Sequence, residues 1–507
     1  MSVRIALGGA AEEAVGRVLP RLVDEKVASG ITAQDPTLWG ADAETDAARR
    51  LGWTEAVAAA RPLVPMVAAL RDELRRAGIR RVVLCSGGGA ARAATCIARS
   101  QGVDLTVLDT TEPARVRAAL GDLQDAAVVL AQPPGAAYDV DAHRRTAEQA
   151  YAELGMDPAD RIVVVAEPGS GLASAAGRAG LRIIDADPAV GDRYSALTAA
   201  ALVPAGLAGA DIAEVLDEAE SEELNLAIDD RSNNGLRLGA ALGGARRELL
   251  AIVADGSHLA GFGAWAEHVL AGSGLLPVVL EAGAPELRRS AGDLQVLRLV
   301  GDAHSRARLG ENEVLLSGSL GELLLVLQYA AVVTARLLGT DPFDESVPAA
   351  PAAPAAPAFV EDGVEARLPA GSSATDLRAA VDELLGDARM GRVVVHVSGE
   401  PRDLPRLSAI RTALADRTGH PVPLAAGPAA VAVSGAPVAV LQLTAEPSDD
   451  LAVPGTSGTY GELTRIEAAS AVAAYAARGA RVLALRLTTP EAAEAVLAAA
   501  TARKARA

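Results

Sequence analysis

The stretch Arg81-Val82-Val83-Leu84-Cys85-Ser86-Gly87-Gly88-Gly89-Ala90-Ala91 decides the fold. Its first five residues form an unbroken apolar run behind one arginine, the pattern of a strand buried on both faces of a parallel sheet. Three glycines follow, and then small residues that open a helix running through Cys96 to Ser100. A glycine-rich turn from strand to helix exposes backbone N–H groups and the positive end of the helix to a ligand. Such a turn also serves as a mere tight connection. The same alternation recurs downstream. Strands are expected at 105–108, 126–130, 161–165 and 181–184. Asp109-Thr110-Thr111-Glu112-Pro113 places a proline near the first turn of a helix. Five strands alternating with helices predict a parallel sheet covered on both faces, with ligands outside the carboxyl ends of its strands.

Upstream, residues 5–30 read as an amphipathic helix, Trp39 and Trp53 as anchors, and 55–77 as helical. Downstream, the turn Asp185-Ala186-Asp187-Pro188 leads into Gly191-Asp192-Arg193-Tyr194-Ser195-Ala196-Leu197-Thr198. Arg193, just after a strand and beside the hydroxyl of Ser195, is placed to meet an anion. Its guanidinium stays charged and donates in a fixed fork. The plainer alternative is a structural ion pair. A second set of signals follows. It comprises an acidic helix at 211–224, strands at 249–253 and 276–280, and helices at 262–270 and 320–338. Pro348 to Ala358 repeats Pro-Ala-Ala, an extended linker with nothing to pack. A third block has strands at 393–397, 439–443 and 482–487 and a helix at 405–417. The expected organisation is a helical segment at 1–54 and one α/β domain at 55–205. A second α/β domain at 206–507 carries the linker as a surface insertion.

A chain of 507 residues can hold two or three sizeable cores. Aromatics are only 2 % of it, so Ala, Val and Leu must supply the core volume. The formal charge of −18 disfavours nucleic acid and anionic membranes as partners. Cys85 and Cys96 form neither a disulfide framework nor a zinc site and read as reduced core thiols. No basic region followed by a long apolar run opens the chain, so a cytoplasmic location is expected. No metal or cofactor motif stands out.

Taken in order, these stretches resemble phosphoglucose isomerase, most closely the bacterial form often fused to transaldolase. Asp35-Pro36-Thr37-Leu38-Trp39 with Leu51-Gly52-Trp53 is similar to that form's N-terminal signature. Leu108 to Pro113 resembles "LDSTDP", and Gly191 to Leu197 resembles "VGGRYSAL". Phe262 to Glu267 resembles "FGLWVEQ", and Leu338 to Asp344 resembles "LGINPFD". The residues Arg417-Thr418-Gly419 and Leu441 to Thr444 fit the C-terminal pattern. The resemblance implies two sugar-isomerase domains, each a three-layer α/β/α sandwich with a parallel sheet. It also implies aldose–ketose isomerisation of glucose 6-phosphate and fructose 6-phosphate through an enediolate. Such a reaction needs a phosphate cradle, a proton-moving base and a cation at the developing oxyanion. Arg193 inherits the role of that cation. Gly87, Gly88, Gly89 and Ser195 are the candidates for holding a sugar phosphate.

Elsewhere the chain departs from the pattern. The family's "SKSGTT" cradle is here Ala131-Gln132-Pro133-Pro134-Gly135-Ala136-Ala137, without the lysine and hydroxyls and with prolines that remove N–H donors. The first glycine loop ends Gly89-Ala90 where the family has two serines. Gly272 stands where the family has its catalytic glutamate. The lysine-bearing C-terminal segment shrinks to Ala432 to Pro437, and the glutamine after "NPFD" is replaced in Asp344-Glu345-Ser346. Loss of a positioned base alone costs about 10²–10⁴-fold in rate. The expectation is a family member with turnover weak or lost. The alternative is a non-catalytic sugar-phosphate-binding or assembly partner of hexose or pentose phosphate enzymes, or a homo-oligomer. Among histidines, His143 and His304 read as exposed, whereas His258 and His268 could approach a cleft. Glu267 could serve as a displaced base, and the acidic run 217–223 reads as a solvated helix face.

Overall fold

The computed structural model describes residues 3–134, 140–255, 257–288, 294–301, 309–345, 356–387, 392–399, 404–426 and 438–502. Most of the linker, His304, the loop residues Ala136 and Ala137, and the segment 432–437 lie outside them.

The first sheet has five strands, all parallel, in the order Thr106–Leu108, Arg81–Cys85, Ala126–Gln132, Ile162–Ala166, Arg182–Asp185. Its central strands are buried on both faces, which is why they read as continuous apolar runs. Glu112 caps the helix Pro113–Leu120 by accepting from the Ala114 and Arg115 N–H groups at 2.8 and 2.7 Å. Both cysteines are free and buried, and burial pushes the Cys96 thiol up to about 12.

A second sheet runs Arg4–Leu7, Glu313–Ser317, Leu294–Leu299, Leu249–Val253, Leu276–Val279, parallel except for the first pair. Residues 4–7 therefore form an edge strand, where the sequence reading began a helix at 5. The helix itself is Gly9–Asp24. A four-residue strand carries too short a pattern to separate it from the helix that follows. The apolar helix Leu320–Leu338 is long enough to cross a membrane, but it is buried inside the fold. Its Ser319–Glu322 capping box fixes its start. The tryptophans anchor as expected. Trp39 Nε1 donates to the Val332 carbonyl at 2.8 Å, and Trp53 stacks on Tyr194 with ring centroids 5.4 Å apart. The acidic run 217–223 is not wholly solvated: Glu222 is buried and accepts from Asn234 Nδ2 at 3.0 Å. His143, expected at the surface, is also buried.

The third block corrects the domain reading. Residues 359–487 do not complete the second sheet. They build a six-stranded sheet of their own, in the order Phe359–Glu361, Val364–Arg367, Arg481–Leu487, Ala439–Ala445, Val393–Ser398, Leu424–Ala426. It has a separate core, from Val364 to Ala500. The two sheets that precede it share one core. The chain accordingly forms two compact units. One holds both earlier sheets and the other holds 346–507 with two short excursions, 110–118 and 283–292. The sequence missed this because the new sheet opens with a short hairpin, turning at Asp362 and Gly363 with positive φ, directly after the linker.

Candidate functional site

In the first sheet the strand order reverses direction between Arg81–Cys85 and Ala126–Gln132. A ligand of an open parallel sheet sits outside the carboxyl ends at such a reversal. Here the chain fills that place itself. The short 3-10 helix Asp192–Leu197 lies over it, and its Asp192 N–H donates to the Pro134 carbonyl at 2.9 Å. The Asp192 carboxylate then turns to the glycine loop. Oδ2 accepts from the Gly89 N–H at 2.7 Å and Oδ1 from the Ala90 N–H at 3.1 Å.

These N–H groups open the helix Gly88–Ser100, so the carboxylate lies at the positive end of its dipole. Gly88 has φ +66°, and a Cβ there would collide with Asp192 Oδ2. Glycine is needed at 88 both for the backbone angle and for the carboxylate's approach. The turn expected to cradle a phosphate thus holds an anion of its own chain. Burial raises the Asp192 carboxyl, while the two N–H groups, Arg193 and Arg92 pull it back.

Arg193 is buried and turned inward. Its Nη1 donates to the Pro342 carbonyl at 2.7 Å, and its main-chain N–H donates to Glu345 Oε1 at 2.8 Å. The guanidinium packs over Gly272, so closely that a Cβ there would stand 2.5 Å from Cζ. Ser195, expected at the ligand, donates its Oγ to the Asp192 carbonyl at 2.6 Å. The Tyr194 carbonyl accepts from Gln328 Nε2 at 2.7 Å. Every residue from Asp192 to Leu197 is buried. The structure gathers Arg193, Ser195 and the glycine loop in one place, and turns the Gly89 and Ala90 N–H groups, the Ser195 hydroxyl and Arg193 Nη1 to internal partners.

Glu345, which the sequence analysis noted only as part of a replaced segment, closes this arrangement. Burial pushes its carboxyl up to about 7 against the opposing pull of Arg193. Burial also pushes Asp341 up to about 6. Glu345 Oε2 and Arg193 Nε are both buried without a hydrogen-bond partner among the described residues. His268 Nε2 lies 3.7 Å from Asp192 Oδ2, and burial, with Arg92 and Arg193 nearby, holds the imidazole well below its usual range. Glu267 sits 3.9 Å from Arg92 Nη1, its carboxyl raised by burial. His258 is exposed in a loop. Sequence reasoning passed over Asp192, although a signal was present. It occupies the second glycine of the "VGGRYSAL" pattern, and a carboxylate in place of a hydrogen is the change that reaches the glycine turn.

No family model matches the chain. Over 192 residues it is 29% identical to a protein named as a probable glucose-6-phosphate isomerase of Haloarcula marismortui. That alignment covers 36% of this chain and 44% of the relative, so the chain matches less than half of that protein's length. In structure it is similar to a hypothetical protein of Thermus thermophilus. The TM-score is 0.54 at 18% identity, over 67% of this chain and 96% of that one. A glucose-6-phosphate isomerase of Chlamydia trachomatis gives a TM-score of 0.49 at 15% identity, over 66% of this chain and 82% of the other. The chain is thus similar in sequence, over part of its length, to a probable glucose-6-phosphate isomerase, and in fold to the Thermus thermophilus protein.

Proposed function

We propose that this chain is a sugar-phosphate-isomerase-like protein that no longer interconverts glucose 6-phosphate and fructose 6-phosphate, and that it serves as an assembly partner of sugar-phosphate enzymes. One observation carries the reading: the Asp192 carboxylate holds the Gly89 and Ala90 N–H groups. A phosphate dianion brought there would find the donors it needs already held by a carboxyl of the chain. Gly272 has no side chain to move a proton, and a guanidinium serves as a hydrogen-bond donor and not as a base. The role as a partner rests on the resemblance and on the filled site together.

The test is a coupled isomerase assay on the purified full chain with both sugar phosphates. Turnover several orders of magnitude below an ordinary isomerase is expected. A second reading has one observation in its favour: the half-buried, raised carboxyl of Glu267, adjacent in sequence to His268. Robust turnover abolished by Glu267→Gln or His268→Ala would establish it and end the first.

A further inference from the structure

Away from the filled site, the acidic chain gathers positive charge in one small cavity. The cavity measures about 360 Å³ and is lined by Arg17, Arg21 and Arg246, with Val18 and Leu337 as apolar wall and Gly243 and Gly244 at the base. Its frame is rigid. Arg17 and Arg21 ride the helix Gly9–Asp24, and the helix Asn234–Gly244 packs directly against it. A Cβ at Gly244 would collide with Val18, so glycine lets the two helices close to this distance. A volume of this size lies within the range of small-molecule sites, about 300–1,000 Å³.

The arginines are not simply used up in capping the helix. The Gly243 carbonyl accepts from the Arg246 main-chain N–H at 3.2 Å, and the Gly244 carbonyl accepts from Arg17 Nη2 at 3.0 Å. The helix end is thereby answered with one guanidinium N–H, and the rest of that fork stays available. Among the described residues Arg21 has one neighbour of opposite charge, Glu25, at 3.5 Å. The Arg246 side chain makes no hydrogen bond or ion pair with the described residues. Its backbone adds an independent sign. Arg246 has φ +51°, the left-handed region where a helix end ordinarily places glycine. A side chain held there costs about 1–2 kcal/mol. Strain of this kind is kept where the side chain is wanted at that spot.

We propose that this cavity is a binding site for a small diphosphate-bearing molecule, with the three arginines on the phosphates and Val18 and Leu337 against the group that carries them. Arg is suited to this because its planar fork meets phosphate oxygens two at a time.

Inorganic pyrophosphate and ADP, titrated calorimetrically into the full chain, test it. Saturable binding of both is expected, weakening steeply with salt. Arg17→Ala should lower the affinity at least tenfold. Arg246→Gly should lower it as much while leaving the melting temperature equal or higher, since glycine relieves the left-handed backbone. That variant separates binding from folding. Absence of saturable binding by both probes up to millimolar concentration would overturn the proposal. So would affinities unchanged in both variants, which would reduce the arginines to helix-capping charges.

Discussion

The Arg193 guanidinium occupies the space that a side chain at Gly272 would need: a Cβ there would lie 2.5 Å from Cζ and 2.6 Å from Nε. The guanidinium and a side chain at 272 therefore exclude one another in this chain. Gly272→Glu restores the residue type that the resemblance calls for, but only by pushing Arg193 off the Pro342 carbonyl. Overpacking a buried contact costs about 1–3 kcal/mol. The variant should melt several degrees lower and show no gain of isomerase turnover. An unchanged melting temperature together with new activity would show that Arg193 moves aside freely.

Stability should also carry a pH signature from Glu345. Its carboxyl titrates near 7 in the folded protein, above the ordinary 4.5, so the folded state holds a proton that the unfolded state has released. Stability from this group is full below about 4.5 and is lost as pH rises through 7. Asp341, raised from 3.8 to about 6, acts in the same direction. His268 acts oppositely: its imidazole stays neutral in the fold, and stability falls as pH drops below 6.5. Comparison with Glu345→Gln isolates the first effect. The variant should match the wild type at pH 4 and exceed it at pH 8, by up to roughly 3 kcal/mol at about 1.4 kcal/mol per tenfold change in proton affinity. Denaturant unfolding at the two pH values reads it. A gap that stays constant with pH would place the Glu345 carboxyl at its ordinary value.

The third sheet should fold without the other two. Its core draws only on residues from Val364 to Ala500 and includes Val395, Leu441 and Leu483, all fully buried. A protein of residues 356–507 should give one cooperative thermal transition by circular dichroism. In it, Leu441→Ala should cost about 2–5 kcal/mol. A broad, non-cooperative melt would mean that the excursions 110–118 and 283–292 are required.

Much of the fold was legible because buried parallel strands and long apolar helices write themselves in runs. Strands 81–85 and 249–253 and the helix 320–338 were placed at their observed ends. What escaped was short or polar. The edge strand Arg4–Leu7 alternates exposed and half-buried residues, and Leu424–Ala426 is three residues long. At the site, residue type and place were readable but direction was not. Arg193 near an anion reads the same whether that anion is a substrate phosphate or the chain's own carboxylates. The distinction lay in Asp192 and Glu345, two acids that replace uncharged residues of the family pattern. Only the fold shows that one carboxyl meets the Gly89 and Ala90 N–H groups and the other the Arg193 N–H.

That replacement can be reversed. Asp192→Gly restores the second glycine of the pattern and removes the carboxylate from the Gly89 and Ala90 N–H groups. Two buried donors at a helix N-terminus then lack an acceptor, at a cost of about 1–3 kcal/mol each if nothing replaces it. They are also the donors that an outside anion can use. The variant should be less stable than the wild type in a phosphate-free buffer and regain stability as inorganic phosphate is added. The gain should follow ordinary ligand linkage, about 2.7 kcal/mol at a hundred times the dissociation constant. Phosphate should leave the wild-type melting temperature nearly unchanged under the same titration. Isomerase turnover should remain absent in the variant, because a cradle without a base at Gly272 binds but does not move a proton. Equal phosphate responses in the two proteins would show that Asp192 does not guard the turn, and the proposed loss of function would then rest on Gly272 alone.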